Sequence, residues 1–220
     1  MTVEPPGLRA RKKQRTRDAL VRAALELFTT QGYERTTVDE IVDAVEVSQR
    51  TFFRYFASKE EVAFAVQELA ESHYIAALRQ RPAGEGPFEA LRNAVSASWD
   101  TIEVAIEEIV PLDLHMRSFL MIESTPALLA AHMRRSAEME DLLAGLIAER
   151  EGLDVDADPR PRVAVAAFGG VMRVAGRLWG QGDDPSVEAI RALMETCLDH
   201  LGPALAGDWH AGGRGGRDDH

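Results

Sequence analysis

Apolar residues recur every three or four positions along almost the whole chain, and no stretch alternates apolar and polar residues as a half-buried strand would. This periodicity restricts the chain to an all-α fold of about nine helices, the first three of them short. Residues 1–10, with Pro5, Pro6 and Gly7, read as a flexible basic arm. A first helix over residues 11–31 buries Leu20, Ala23, Ala24, Leu27 and Phe28 and ends at Gly32. Thr37 caps a second, whose apolar face is Val38, Ile41, Val42 and Val45 and whose first turn holds Asp39 and Glu40, the acidic residues that the helix dipole favours. A third starts at Ser48 and runs to Tyr55 or Phe56. Ser58 opens a long fourth helix over residues 59–80, with Glu61 in the third position of a capping box.

Pro82, Gly84, Gly86 and Pro87 make the clearest break. Beyond it Phe88, Leu91, Val95, Trp99, Ile102, Ile106 and Ile109 form the buried stripe of a fifth helix, closed by Pro111. A sixth covers residues 112–122, and Pro126 opens a seventh reaching residue 149. After an acidic loop, an eighth helix over residues 162–179 is crowded with small residues. Asp184-Pro185 starts a ninth that ends near residue 205, and the Gly-rich tail from Gly207 reads as disordered. No internal repeat suggests a solenoid. The division expected is an arm (1–10), a head of short helices (11–57), a larger helical body (58–206) and a tail (207–220).

The net charge of −11 speaks against a nucleic-acid partner until its distribution is read. Between residues 9 and 22, Arg9, Arg11, Lys12, Lys13, Arg15, Arg17 and Arg22 face only Asp18, whereas acids dominate beyond residue 60. A basic head on an acidic body suits a polyanion. The longest uncharged stretch, residues 163–172, is far short of the roughly 20 residues of a membrane span, and the N-terminus lacks an apolar signal region. A cytoplasmic protein with no membrane partner is expected. Cys197 stands alone, which excludes an internal disulfide and a Cys-rich zinc site.

Residues 37–55 carry the function. Two capped helices joined at Glu46-Val47 have the form of a helix-turn-helix, whose second helix fits the roughly 12 Å wide major groove of DNA. On that second helix Val47, Phe52 and Phe56 face inward, and Ser48, Gln49, Arg50, Thr51, Phe53, Arg54 and Tyr55 remain outside. Arg50 suits guanine and Gln49 adenine, while Thr51, Tyr55 and Lys59 suit phosphates. Thr37 completes the candidate DNA-binding set. A plain helical hairpin has the same periodicity.

The run TVDEIVDAVEVSQRTFFRYFASKEEV (37–62) resembles the DNA-binding signature of the tetracycline-repressor (TetR) family. The basic start, Ala23-Ala24, Leu27-Phe28, Gly32-Tyr33 and Thr36-Thr37 extend the likeness over residues 9–65. Two positions depart from the family: Glu46 stands where a turn glycine is common, and Arg50 where glycine is frequent. A left-handed Glu46 would cost of order 1 kcal/mol, or else the turn differs. The resemblance implies a homodimeric repressor on a palindromic operator, paired through its last two helices and released by a small-molecule inducer, with no cofactor.

The eighth and ninth helices agree with a dimer. The former is rich in Ala and Gly, and the latter carries Val187, Ile190, Leu193, Met194, Cys197, Leu198 and Leu201 on one face. Candidate ligand-lining residues are Trp99, Glu103, Ile106, Glu107, Met116, Phe119, Met121, Phe168, Met172 and Trp179, each of a type commoner in cores. Glu103 and Glu107, with Asp113, can attract a cationic aromatic ligand; a long acyl chain in an apolar tunnel is the rival. Scattered histidines, without a metal-binding helix, P-loop or nucleophile elbow, speak against an enzyme, and Asp113, His115 and His132 make no convincing metal set. The alternatives to the repressor are a helical protein-interaction module and a DNA-binding activator without a small-molecule ligand.

Overall fold

The structure, a computed structural model, describes residues 7–184 and 186–206. Among them are ten helices and no strand. They are α1 (Leu8–Gln31), α2 (Val38–Ala44), α3 (Gln49–Phe53), α4 (Lys59–Ala63), α5 (Ala65–Arg79), α6 (Pro87–Glu107), α7 (Leu112–Ser124), α8 (Pro126–Glu151), α9 (Arg160–Gln181) and α10 (Val187–Ala206). The all-α expectation holds, with one helix more than the count of nine.

Helix α3 ends at Phe53, short of the expected Tyr55 or Phe56, and two further boundaries differ for physical reasons. Helix α1 starts at Leu8 and takes in residues 8–10 of the expected arm, because every residue from Leu8 to Arg15 is a good helix former. The rest of that arm and the tail from Gly207 lie outside the described residues. The expected fourth helix is α4 and α5, with a bend at Phe64, whose φ is −94° and ψ 0°. The hydrogen-bond ladder resumes at once, Glu68 N–H donating to the Phe64 carbonyl at 3.0 Å. The Phe64 ring is fully buried, stacked on His132 and covered by the Arg135 guanidinium 5.0 Å away. Tertiary packing sets this bend, and no proline or glycine marks it.

The described residues pack as two compact units, one up to Gly169 and one from Gly170. A single core runs through the first. It joins Leu20, Leu25 and Phe28 of α1 with Ile41, Phe52, Phe56, Val62 and Phe64, and then with Ile102, Ile106, Leu114, Ile122 and Leu128. The first three helices thus share their interior with α6, α7 and α8. A three-helix head with helices of seven and five residues has too little surface to bury by itself. Polar grips accompany the core: Arg22 donates from two nitrogens to the Ile109 carbonyl at 3.1 and 2.8 Å, and Arg134 pairs with Glu60 at 3.0 Å.

The break between α5 and α6 is held by Arg150 of α8, which donates to the carbonyls of Arg81 (3.0 Å), Pro82 and Glu85 (2.9 Å). Glu85 pairs with Arg81, and that hydrogen bond lowers its carboxyl to about 2. In the second unit Ala175, Trp179, Val187, Ile190 and Leu198 are buried, and the Trp179 indole N–H donates to the Ser186 carbonyl at 3.1 Å.

Candidate nucleic-acid interface

Helix α2 begins with a complete capping box. The Thr37 hydroxyl accepts from the Glu40 N–H at 3.2 Å, and the Glu40 carboxylate accepts from the Thr37 N–H at 2.8 Å. Those hydrogen bonds hold the Glu40 carboxyl below its ordinary value. At the other end of α2, Glu46 N–H donates to the Asp43 carbonyl at 3.1 Å and Val47 N–H to the Val42 carbonyl at 3.0 Å. These two bonds define a Schellman motif, with Val42 and Val47 as its apolar pair. The motif requires a left-handed residue between its bonds, and Glu46 supplies it at φ 54°. Among the described residues no other non-glycine has positive φ.

The turn delivers the chain to Ser48, which caps α3 by accepting from Thr51 N–H at 3.2 Å. On α3 the inward ring is Phe52, fully buried with Phe56 beyond it. Gln49, Arg50, Phe53 and Arg54 are exposed, Phe53 by 53%, while Thr51 and Tyr55 are half-buried. Gln49 donates its amide to Asp39, tying α3 to the first turn of α2. Arg54 lies over the Tyr55 ring at 5.0 Å and donates to its hydroxyl at 3.4 Å. Phe52 and Phe56 turn inward and Gln49, Arg50, Phe53 and Arg54 outward as the sequence suggests, whereas Tyr55, expected outside, packs partly against the core.

Lys59 departs from a simple phosphate contact. Its ammonium donates to the carbonyls of Tyr33 (2.6 Å) and Thr36 (2.9 Å) and sits 4.2 Å from the centre of the Tyr33 ring. It ties the entry of α4 to the loop between α1 and α2. Ser58 accepts from Glu61 N–H at 3.1 Å, but the Glu61 carboxylate takes the N–H of Ala57 instead of closing the expected box on Ser58. Arg17 of α1, which the sequence marks only as one of several basic residues, has its guanidinium 5.3 Å from the Phe56 ring centre, three residues beyond the end of α3. Aromatic neighbours distant in sequence leave no local signal for either cation.

The candidate ligand-lining residues fall in different places. Ile106 belongs to the shared core, and Met116 is buried on α7. Trp99, Glu103, Phe119 and Met121 are half-buried, and Glu107 is exposed. Asp113 is exposed and paired with Arg117, so the three acids do not form one enclosed anionic wall. Phe168 is buried, stacked on Tyr74 at 6.4 Å and edge-on to Phe88 at 6.0 Å. Met172 and Trp179 belong to the second unit. On α5 the Tyr74 hydroxyl and the Gln67 carbonyl oxygen are buried without a hydrogen-bond partner. Burial pushes Tyr74 upward in pKa and raises Glu71, which lies between them on the same helix face. A cleft of about 360 Å³, lined by residues including Pro87, Ile147, Leu153 and Pro161, contains none of the expected ligand residues. No cluster of three metal-binding side chains occurs among the described residues, and His115 is half-buried, its pKa lowered to about 4 by desolvation.

A capped helix, a Schellman turn and a second helix with one buried and one polar face define a helix-turn-helix DNA-binding regulator. Residues 20–66 match the family described as bacterial regulatory proteins, tetR family, and residues 85–206 match the MftR C-terminal domain. The HTH-type transcriptional regulator TcmR of Streptomyces glaucescens is 50% identical over 212 residues, covering 96% of this chain and 94% of TcmR. The chain belongs to the TetR family of transcriptional regulators, and its family is one of regulators, not enzymes. The HTH-type transcriptional repressor NicS of Pseudomonas putida strain KT2440 is 30% identical over 46% of this chain and 48% of NicS. A crystal structure of a TerR/AcrR family regulator from Aquifex aeolicus VF5 shares the fold, with a TM-score of 0.52 at 16% identity over 86% of this chain and 99% of that one. No helix among the described residues is long and apolar enough to cross a membrane.

Proposed function

We propose that this chain is a homodimeric repressor that binds a palindromic operator and leaves it when a small molecule occupies the body. The observation that carries the DNA reading is the outer side of α3, where Gln49, Arg50 and Arg54 stand exposed opposite the buried Phe52. Arg50 reads guanine through two N–H groups. Gln49, with one N–H spent on Asp39, keeps an N–H and its carbonyl oxygen for adenine. Phe53 offers an apolar contact to a thymine methyl, while Thr37, Ser48, Thr51, Arg54 and Tyr55 position the backbone, and Lys59 acts indirectly by holding the loop before α2. The likeness to NicS, named a repressor, supports repression.

The dimer is supported by the second unit. Val174 and Leu178, one turn apart on α9, are 49% and 47% exposed, and Leu193, Met194, Cys197 and Leu201 of α10 remain half-buried. A two-fold pair through these helices places half-site centres roughly 34–36 Å apart, or a multiple of that. For the inducer, the Phe168, Tyr74 and Phe88 rings and the unpaired Tyr74 and Gln67 groups support a site against α5. Trp99, Glu103 and Phe119 remain candidates for its wall. The shared core and the Arg22 grip on Ile109 support transmission from that body to α1. Shifting the population from 1:99 to 99:1 needs about 5.5 kcal/mol of differential ligand affinity. Such a regulator acts on DNA in the cytoplasm.

The test is selection from random duplex DNA, followed by binding of wild type and Arg50→Ala to the selected site and its single-base variants. Arg50→Ala is expected to lose roughly 1–3 kcal/mol at one base position and to stop discriminating there. Equal weakening at every sequence refutes the base-reading role.

A further inference from the structure

Gln49 is the first residue of α3 and Asp39 the second of α2, and both are exposed. Across the turn, ten residues apart in the chain, the Gln49 amide nitrogen donates to Asp39 Oδ1. The fold does not depend on this bond. The capping box of α2 is already closed between Thr37 and Glu40, and the two helices pack through the buried Ile41, Val42 and Phe52.

What the bond fixes is the direction of an amide. The Asp39 carboxylate accepts hydrogen bonds and cannot donate them. It therefore holds the nitrogen end of Gln49 towards α2 and sends the carbonyl oxygen the other way. An untethered glutamine turns either end to a base and so offers donor and acceptor in either order. Adenine requires one order, an acceptor for its N6 amino group and a donor for N7. An amide that meets both uses its oxygen and the N–H beside it, which leaves the outer N–H for Asp39. The carboxylate has an opposing effect as well: beside a base reader it repels phosphates whatever the sequence. A residue that weakens binding to all DNA while ordering one base reader serves discrimination, not affinity.

We propose that Asp39 is a positioning residue for base recognition, which holds the Gln49 amide in the single orientation that reads adenine at one position of the operator. It acts through Gln49, and the inference rests on the DNA-binding reading above.

The test uses the full-length wild type, Gln49→Ala, Asp39→Asn and the double variant. Each is titrated against the duplex selected by the wild type, its single-base variants and a scrambled duplex. Gln49→Ala marks the base position that Gln49 reads. Asparagine matches aspartate in size but donates as well as accepts, so it permits both amide orientations. Asp39→Asn should lose about tenfold of the discrimination at that position, within the roughly 5- to 150-fold that a bidentate base contact supplies. It should keep the preference lost in Arg50→Ala and bind the scrambled duplex at least as well as wild type. Added to Gln49→Ala, it should change no base preference further. Both side chains are exposed, so urea unfolding should report the variants as folded. Unchanged discrimination at the Gln49 position, an equal loss at every position, or a further loss in the double variant overturns the positioning role and leaves the DNA-binding reading intact. So does a Gln49→Ala variant that alters no base preference. A wild type that selects no sequence overturns both.

Discussion

Replacing Glu46 by glycine should stabilise the protein, although it deletes a side chain and adds the most flexible residue to the unfolded chain. Glu46 is left-handed at φ 54°, and the two Schellman bonds on either side of it leave the backbone no other conformation. An L-residue with a Cβ pays about 1–2 kcal/mol for that region, which glycine avoids. Glycine costs about 0.4–1 kcal/mol through the greater entropy of the unfolded state. The carboxylate also sits at the C-terminal end of α2, where a negative charge is disfavoured by a few tenths of a kcal/mol when exposed. The sum favours Glu46→Gly by about 0.5–1 kcal/mol, or roughly 2–4 °C in Tm per kcal/mol for a chain of this size. Glu46→Ala separates the causes, since it removes the charge and keeps the strain. Urea unfolding followed by far-ultraviolet circular dichroism should rank Gly above Ala, and Ala within a few tenths of wild type. A glycine variant no more stable than the alanine variant would show that the turn is not strained and refute the reasoning.

Lys59→Met should lower stability by about 1–3 kcal/mol, since it leaves the Tyr33 and Thr36 carbonyls without their charged donor. Urea midpoints within a few tenths of wild type would return Lys59 to a purely DNA-facing role. His115, half-buried and held by desolvation at a pKa of about 4 against an ordinary 6.5, makes stability fall with acid. Above pH 6.5 both states are neutral and nothing is lost; between 6.5 and 4 the unfolded state takes the proton first, so stability at pH 5 should be roughly 2 kcal/mol lower. His115→Gln should flatten that part of the pH profile, and an unchanged slope would assign it to other groups. Val174→Asp with Leu178→Asp should turn the proposed dimer into monomer by light scattering at micromolar concentration; an undiminished dimer would move the seam elsewhere.

Local chemistry was legible in the residues alone. Thr37, Ser48 and Ser58 cap helices, Pro126 opens one, and Gly32 closes one at positive φ, because each of those requirements is met or failed within one turn of backbone. The inward Phe52 and outward Arg50 followed from periodicity in the same way. Glu46 was visible as a residue out of place, yet its sequence could not say whether the turn would strain or change. The structure settles it because the N–H groups of Glu46 and Val47 find partners only in the Schellman geometry. The bend at Phe64, the Lys59 grip on carbonyls 26 and 23 residues away, and the Arg22 reach across 87 residues to Ile109 have no local signature. Nor does the core that crosses the expected boundary at residue 57. The sequence by itself determined most of the helices and the polar outer face of α3. Only the tertiary structure decided which cations remain on that face and which are drawn inward, because a carbonyl or a ring becomes a partner only once packing brings it within a few ångströms and removes the competing water.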